Sequence, residues 1–182
     1  MKREITVRIE SWPAIIPFRI SSHVWEDFPC IVCEINQNGV IGRGEALGVY
    51  YHDETPESMA AEIESICAAL GDGASRQLLQ DLLPPGGARF AVDSALLDLE
   101  AQLTGVSAWQ RAGVEANPVE TVFTIGLEAT PEEMAAKASA ADHLSLFKVK
   151  LDNDRPVERI QAIRNARPDS RLIIDANQGW NF

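Results

Sequence analysis

Two lysines and an aspartate carry the most pointed chemistry in this chain. Lys148 and Lys150 stand two apart in Phe147-Lys148-Val149-Lys150-Leu151, and Asp175 and Asn177 stand two apart in Ile174-Asp175-Ala176-Asn177-Gln178-Gly179-Trp180. A spacing of two puts each pair on one face of an extended strand. A lysine becomes a usable general base when desolvation and a neighbouring cation lower its pKa. A carboxylate at the end of the next strand is a partner charge and a candidate metal ligand. The bland alternative is that both lysines are solvated charges on an edge strand.

The elements that position these residues decide between the two readings. Phe147, Val149 and Leu151 form the apolar face of the lysine strand, and residues 172–174 are a short apolar run ending in Asp175. Between them Val157, Ile160 and Ile163 recur at helical spacing, and Arg167-Pro168 stops the helix. Strand, helix and strand within about thirty residues make a βαβ unit with parallel neighbours. Upstream, residues 121–127 read as another strand, and Thr130-Pro131-Glu132-Glu133 reads as a capping box opening a helix through residue 142. Parallel strands are covered on both faces, and in a β/α barrel the face away from the helices is the interior. The lysines would then point inward, near the carboxyl ends of the strands, where barrel sites lie.

Residues 1–116 have a different texture. Ile5, Val7 and Ile9 alternate with polar residues, as do Ile31, Cys33 and Ile35, and Asn38-Gly39 marks a tight hairpin before residues 40–46. Residues 17–27 read as a loop with Arg19, His23, Trp25 and Glu26, and residues 49–54 as a second with Tyr50, Tyr51 and His52. Such loops are plain surface or a lid over a ligand. Thr55-Pro56 opens a helix ended by Gly71, with Ile63, Ile66 and Leu70 as its buried stripe. Val92, Leu96, Leu99 and Leu103 define an amphipathic helix over 88–103, with Asp93, Asp98 and Glu100 as surface charges. Cys30 and Cys33 read as small apolar residues rather than a zinc or redox pair, since no second pair accompanies them. Asn117-Pro118 marks a boundary between an α+β part, residues 1–116, and a β/α part, residues 117–182.

Composition bounds the partners. The 182 residues are 46% hydrophobic with a net charge of −11, which allows a packed core and argues against nucleic-acid or anionic-membrane binding. No apolar run approaches the ~20 residues of a membrane span, and the N-terminus lacks an apolar leader segment, so a cytoplasmic location is expected.

The lysine pair and the Asp-x-Asn turn together resemble the enolase superfamily, muconate-lactonizing subgroup, and residues 121–134 look most like the dipeptide epimerases. The resemblance spans the whole chain. It implies an α+β capping domain followed by the first strands of a TIM-like β/α barrel. It implies Mg²⁺-dependent epimerisation of a dipeptide by α-proton abstraction through an enediolate intermediate, a small-molecule substrate and a homo-oligomer. Enolase-superfamily sites pair a Lys or His base with Mg²⁺. On that reading Lys150 is the general base, Lys148 its neighbouring cation and Asp175 the first Mg²⁺ ligand. Thr124 and Asn177 are substrate-side contacts, and the two loops, with Arg19, His23 and Trp25, close over the barrel mouth. Relatives specific for Ala-Glu tend to have an arginine near His23, so the second residue is expected not to be strictly acidic. N-acylamino-acid racemase, o-succinylbenzoate synthase and muconate cycloisomerase would share Lys148, Lys150 and Asp175, and a non-catalytic interaction module stays open beside them. The resemblance puts the other metal ligands, the opposing lysine and an Asp-x-Asp for the substrate ammonium on later strands. Residues 1–182 alone are therefore expected neither to turn over a dipeptide nor to bind Mg²⁺ tightly, the functional polypeptide being about twice as long.

Overall fold

The computed structural model describes residues 2–180. The chain forms two compact units, Met1–Trp12 with Phe28–Asn117, and Pro13–Asp27 with Pro118–Phe182. The segment 13–27, placed in the first part by sequence pattern, groups with the parallel strands. It is also less of a loop than expected. Strand β1 runs Glu4–Arg19 and β2 runs Val24–Gln37, so only residues 20–23 turn, closed by Ile20 N–H donating to the His23 carbonyl at 2.9 Å. The aromatic and charged residues that resembled loop composition continue the ribbon.

In the first unit β2 pairs antiparallel with β3, Val40–Leu47, from Gln37 opposite Val40 to Cys30 opposite Leu47. Asn38 and Gly39 both take positive φ, 56° and 86°, which a two-residue hairpin needs. Helices α1 (Pro56–Ser65), α2 (Cys67–Gly71), α3 (Arg76–Leu82), α4 (Gly87–Thr104) and α5 (Ala108–Arg111) follow. The single helix expected over 56–71 is broken at Ile66, and α3, capped by the Ser75 hydroxyl, escaped the sequence reading. Strand β3 lies directly on α4: a Cβ at Gly44 would sit 2.1 Å from the Ala91 carbonyl oxygen, and one at Gly42 2.2 Å from that of Ala95. Ile31, Cys33, Ile35, Met59, Ile63, Leu70, Leu79, Leu96 and Leu99 fill the core. Leu103, expected in the buried stripe of α4, is exposed, one turn beyond where β3 covers the helix. Burial pushes the Cys33 thiol up to about 12.

The second unit is a parallel sheet of β4 (Phe123–Ile125), β5 (Leu146–Lys150) and β6 (Arg171–Asp175), joined by α6 (Pro131–Ala140) and α7 (Pro156–Ala166). One face of the sheet packs Ile125, Phe147 and Val149 on Met134, Ala138 and Ile163. Helix α7 buries Ile163 and part of Ile160 from the expected stripe, but not Val157. Val157 is 75% exposed, whereas Arg159 is 3% exposed. Arg159 is buried because every donor direction it uses finds an acceptor: the Asp154 carbonyl, the Glu128 carbonyl and the Asp154 carboxylate, at 2.8, 2.8 and 3.0 Å. It thereby ties the loop after β4 to the loop after β5. At the other end of the sheet Arg167 donates to the carbonyls of Ala138, Ala141, Asp142 and Leu144 and stacks over Phe147. Thr130 caps α6 as expected, but Glu133 reaches the Ala129 amide, one residue upstream of the capping-box position.

Candidate active site at the ends of the parallel strands

Register brings the chemical residues together. Thr124 pairs with Lys148 and Lys148 with Ile173, while Lys150 pairs with Asp175. Parallel partners share a face, so Thr124, Lys148, Lys150 and Asp175 project from the side opposite the helices. Both ammonium groups converge on one oxygen: Lys148 Nζ lies 2.7 Å and Lys150 Nζ 2.8 Å from Asp175 Oδ2. Lys150 is the buried member of the pair, its side chain 9% exposed against 35% for Lys148.

The other carboxylate oxygen, Oδ1, accepts from the Asn177 amide at 2.9 Å. The ammoniums of Lys148 and then Lys150 lead in holding the Asp175 carboxyl far below its ordinary range, with the Asn177 amide adding to them against the opposing effect of burial. The same hydrogen bond raises Lys148. Lys148, expected to act as the cation beside the base, is held in its charged form by the carboxylate it shares with Lys150.

Asn177 and Gln178 both take positive φ, 46° and 61°, where bulky residues are uncommon. Among the described residues Asn177 Oδ1 is the buried side-chain oxygen that accepts no hydrogen bond. The turn after β6 thus carries one ionised carboxylate and one orphaned amide oxygen, both hard oxygen donors of the kind Mg²⁺ takes. The described residues contain no group of three or more His, Cys, Asp or Glu able to hold a metal. The donor types present, the Asp175 carboxylate and the Asn177 amide oxygen, are chemically compatible with one side of a Mg²⁺ site.

The ribbon residues are placed less directly. The Arg19 side chain is exposed, and it is the Arg19 carbonyl that meets the barrel strands, accepting from the Leu127 amide at 3.0 Å. His23 and Trp25 meet at a tilt of 60° with ring centroids 4.2 Å apart, and the Phe18 ring lies 5.8 Å from that of Trp25. A cavity of about 450 Å³ is lined by Phe18, Phe123, Thr124, Gly126 and the Glu128–Lys137 pair. It joins Thr124 to the ribbon rather than to the lysines. Ser21 and Arg159 are contacts that sequence reasoning missed. The only signal for Arg159 was an arginine flanked by Ile160 and Ile163 on the helix's buried side; Ser21, a small polar turn residue, left none.

The profile of the mandelate racemase / muconate lactonizing enzyme N-terminal domain matches residues 2–113. The chain is 38% identical over 182 residues to an L-Ala-D/L-Glu epimerase of Escherichia coli (strain K12), covering 98% of this chain and 56% of that protein. Among solved structures, an enolase family member from Agrobacterium tumefaciens with homology to dipeptide epimerases, holding sodium and L-Ala-L-Glu, superposes with a TM-score of 0.92. It is 36% identical and covers 98% of this chain and 55% of its own. A dipeptide epimerase from Enterococcus faecalis V583, in complex with Mg and L-Leu-L-Tyr, superposes with a TM-score of 0.88 at 27% identity, covering 99% and 55%.

The chain belongs to the mandelate racemase / muconate lactonizing enzyme family of the enolase superfamily. Its meander and helices are the capping domain, and β4, β5 and β6 open the β/α barrel. It spans about half the length of the curated relatives it matches.

Proposed function

We propose that these residues belong to an epimerase that removes the proton α to a carboxylate of a dipeptide and returns it to the opposite face. The carrying observation is the buried Lys150, whose Nζ sits on Asp175 Oδ2 beside Lys148. Lys150 takes the proton from one face. Lys148, more exposed and positively charged, orients the substrate carboxylate and offsets the negative charge that develops on it. Asp175, with the Asn177 amide fixing its second oxygen, would hold Mg²⁺. When bound, Mg²⁺ supplies Lewis-acid stabilisation of the carboxylate next to the departing proton. Thr124, the register neighbour of Lys148 on the adjacent strand, would be a substrate-side contact.

Substrate choice rests with the ribbon. Phe18, His23 and Trp25 make an aromatic cluster on β1 and β2, while the Arg19 side chain is exposed. An aromatic surface favours apolar or mixed side chains over a second carboxylate. The second residue of the dipeptide is therefore not strictly acidic.

One experiment tests both parts. A dipeptide library is incubated in D₂O with the full protein and Mg²⁺, and α-deuteration is followed by NMR. Wild type exchanges the α-proton, and Lys150→Ala slows exchange from one face by roughly 10²–10⁴, the range for loss of a general base. Undiminished exchange in Lys150→Ala would refute the base, and exclusive turnover of acidic second residues would refute the specificity.

A further inference from the structure

We infer that Ser21 is a positioning residue, its hydroxyl latching the turn between β1 and β2 to the loop that carries Asp175 and Asn177. The latch itself is read from contacts alone; its consequence for catalysis rests on the reaction proposed above.

Two hydrogen bonds tie the β1–β2 turn to the ends of the parallel strands. One is the Leu127 amide donating to the Arg19 carbonyl at 3.0 Å. This is backbone to backbone, so no side chain at either position is needed for it. The other is Ser21 Oγ donating to the Asn177 carbonyl at 3.0 Å. Of these two, the second depends on a side chain. The loop after β6 closes closely around it: a Cβ at Gly179 would lie 3.2 Å from Ser21 Cβ and 2.9 Å from the Ala176 carbonyl oxygen.

The loop needs such a tie. Consecutive non-glycine residues at positive φ are unfavourable and persist only where their surroundings over-determine them. Three further bonds help: the Asn177 amide to Asp175 Oδ1, the Gly179 amide to the Ala176 carbonyl, and Trp180 Nε1 to the Asp152 carbonyl. All three lie among the barrel strands and their own loops. Ser21 reaches across from the ribbon, and it does so at Asn177. Asn177 stands between Ser21 and Asp175, with its carbonyl on the first and its amide on the second. Its buried Oδ1 has no donor to hold it, so its place follows from the backbone on either side. Ser21 touches no reacting atom. It acts through Asn177 on the catalytic side and through the turn that presents His23 and Trp25 on the substrate side.

Ser21→Ala removes the hydroxyl and Ser21→Thr keeps one. Hydrogen exchange by mass spectrometry on the full protein reads the latch. In Ser21→Ala, protection of residues 20–25 and 176–180 falls together by roughly five- to tenfold, the loss expected for one net hydrogen bond, while α4 and α7 stay unchanged. Ser21→Thr restores protection in both segments. Unchanged protection in either segment, or an equal loss throughout the first unit, overturns the latch. On the dipeptide, kcat/KM of Ser21→Ala falls by about the same factor, mostly through KM, because the freed turn carries the substrate-facing rings. Lost protection with unaltered kinetics overturns the positioning role. If wild type exchanges no α-proton at all, the proposed reaction falls, and the exchange pattern still decides whether Ser21 latches the loop.

Discussion

The two units bury different kinds of side chain. The first fills its core with aliphatic residues, cysteine and methionine, and brings β3 against α4 through Gly42 and Gly44. Every buried polar or charged residue among those described, Lys150, Arg159 and Ser170, lies in the second unit. Removing a charge from water is strongly unfavourable unless partners replace the water. Arg159 is fully supplied with such partners and stitches two loops together. Lys150 is not supplied to the same degree: its one carboxylate is shared with Lys148. The contrast separates stability from chemistry. The first unit buries apolar side chains and keeps its charges nearer the surface, whereas the second holds an incompletely compensated charge at its strand ends, where a reaction would use it.

That contrast can be broken from either side, beginning with the first unit. Gly44→Ala places a methyl 2.1 Å from the Ala91 carbonyl oxygen and 2.7 Å from the Ala95 amide nitrogen, so β3 must lift off α4. The expected loss is about 3 kcal/mol, the upper part of the overpacking range, seen as a lower midpoint in urea. A change below ~0.5 kcal/mol would show that the first unit is not tightly packed there.

In the second unit the sign should reverse. Lys150→Met keeps the volume of the stem and removes the buried charge, while Lys148 still neutralises Asp175. Stability should rise by about 1 kcal/mol as the α-proton chemistry disappears, the trade-off expected where function strains a fold. A clear loss of stability would mean the charge is fully compensated and the comparison fails.

The smallest effect sharpens the comparison, because it concerns a charge in the first unit used only for structure. Glu54 accepts the Gly87 amide on Oε1 and the Val49 amide on Oε2, both at 2.9 Å, and so caps α4 while holding the turn Tyr50–His52. The Gly87 amide first, then that of Val49, holds its carboxyl below the ordinary range, against some opposing burial. A carboxyl lowered by folding stabilises above its unfolded pKa and loses that contribution as pH falls through the folded value. Glu54→Gln should therefore cost about 1 kcal/mol at pH 7, and the gap to wild type should close as the solution is acidified below the usual glutamate range. His52, Glu45 and Glu62 line the same cleft, so the comparison is made at fixed ionic strength. A gap that stays constant with pH would remove Glu54 from the role.

Much of this molecule was legible in sequence because it depends on short-range periodicity. Alternation in Phe147–Leu151 predicted which side the lysines take, and the Asp-x-Asn spacing put Asp175 at a strand end. Pro131 and Thr130 marked the start of α6, and Asn38-Gly39 marked the hairpin. These follow from backbone geometry within a few residues, which residue type controls directly. What the tertiary structure alone decided depends on distant partners. Which lysine is buried, and that both share one oxygen, required the register of β5 against β6. Val157 was apolar and fell outside the core, and Arg159 was charged and fell inside it, because the loops after β4 and β5 happen to present carbonyls there. Residues 17–27 had a loop's composition and formed strand ends, since pairing across the ribbon satisfies their backbone groups better than solvent-exposed coil does. Ser21 and Asn177 lie 156 positions apart, and no local pattern could join them.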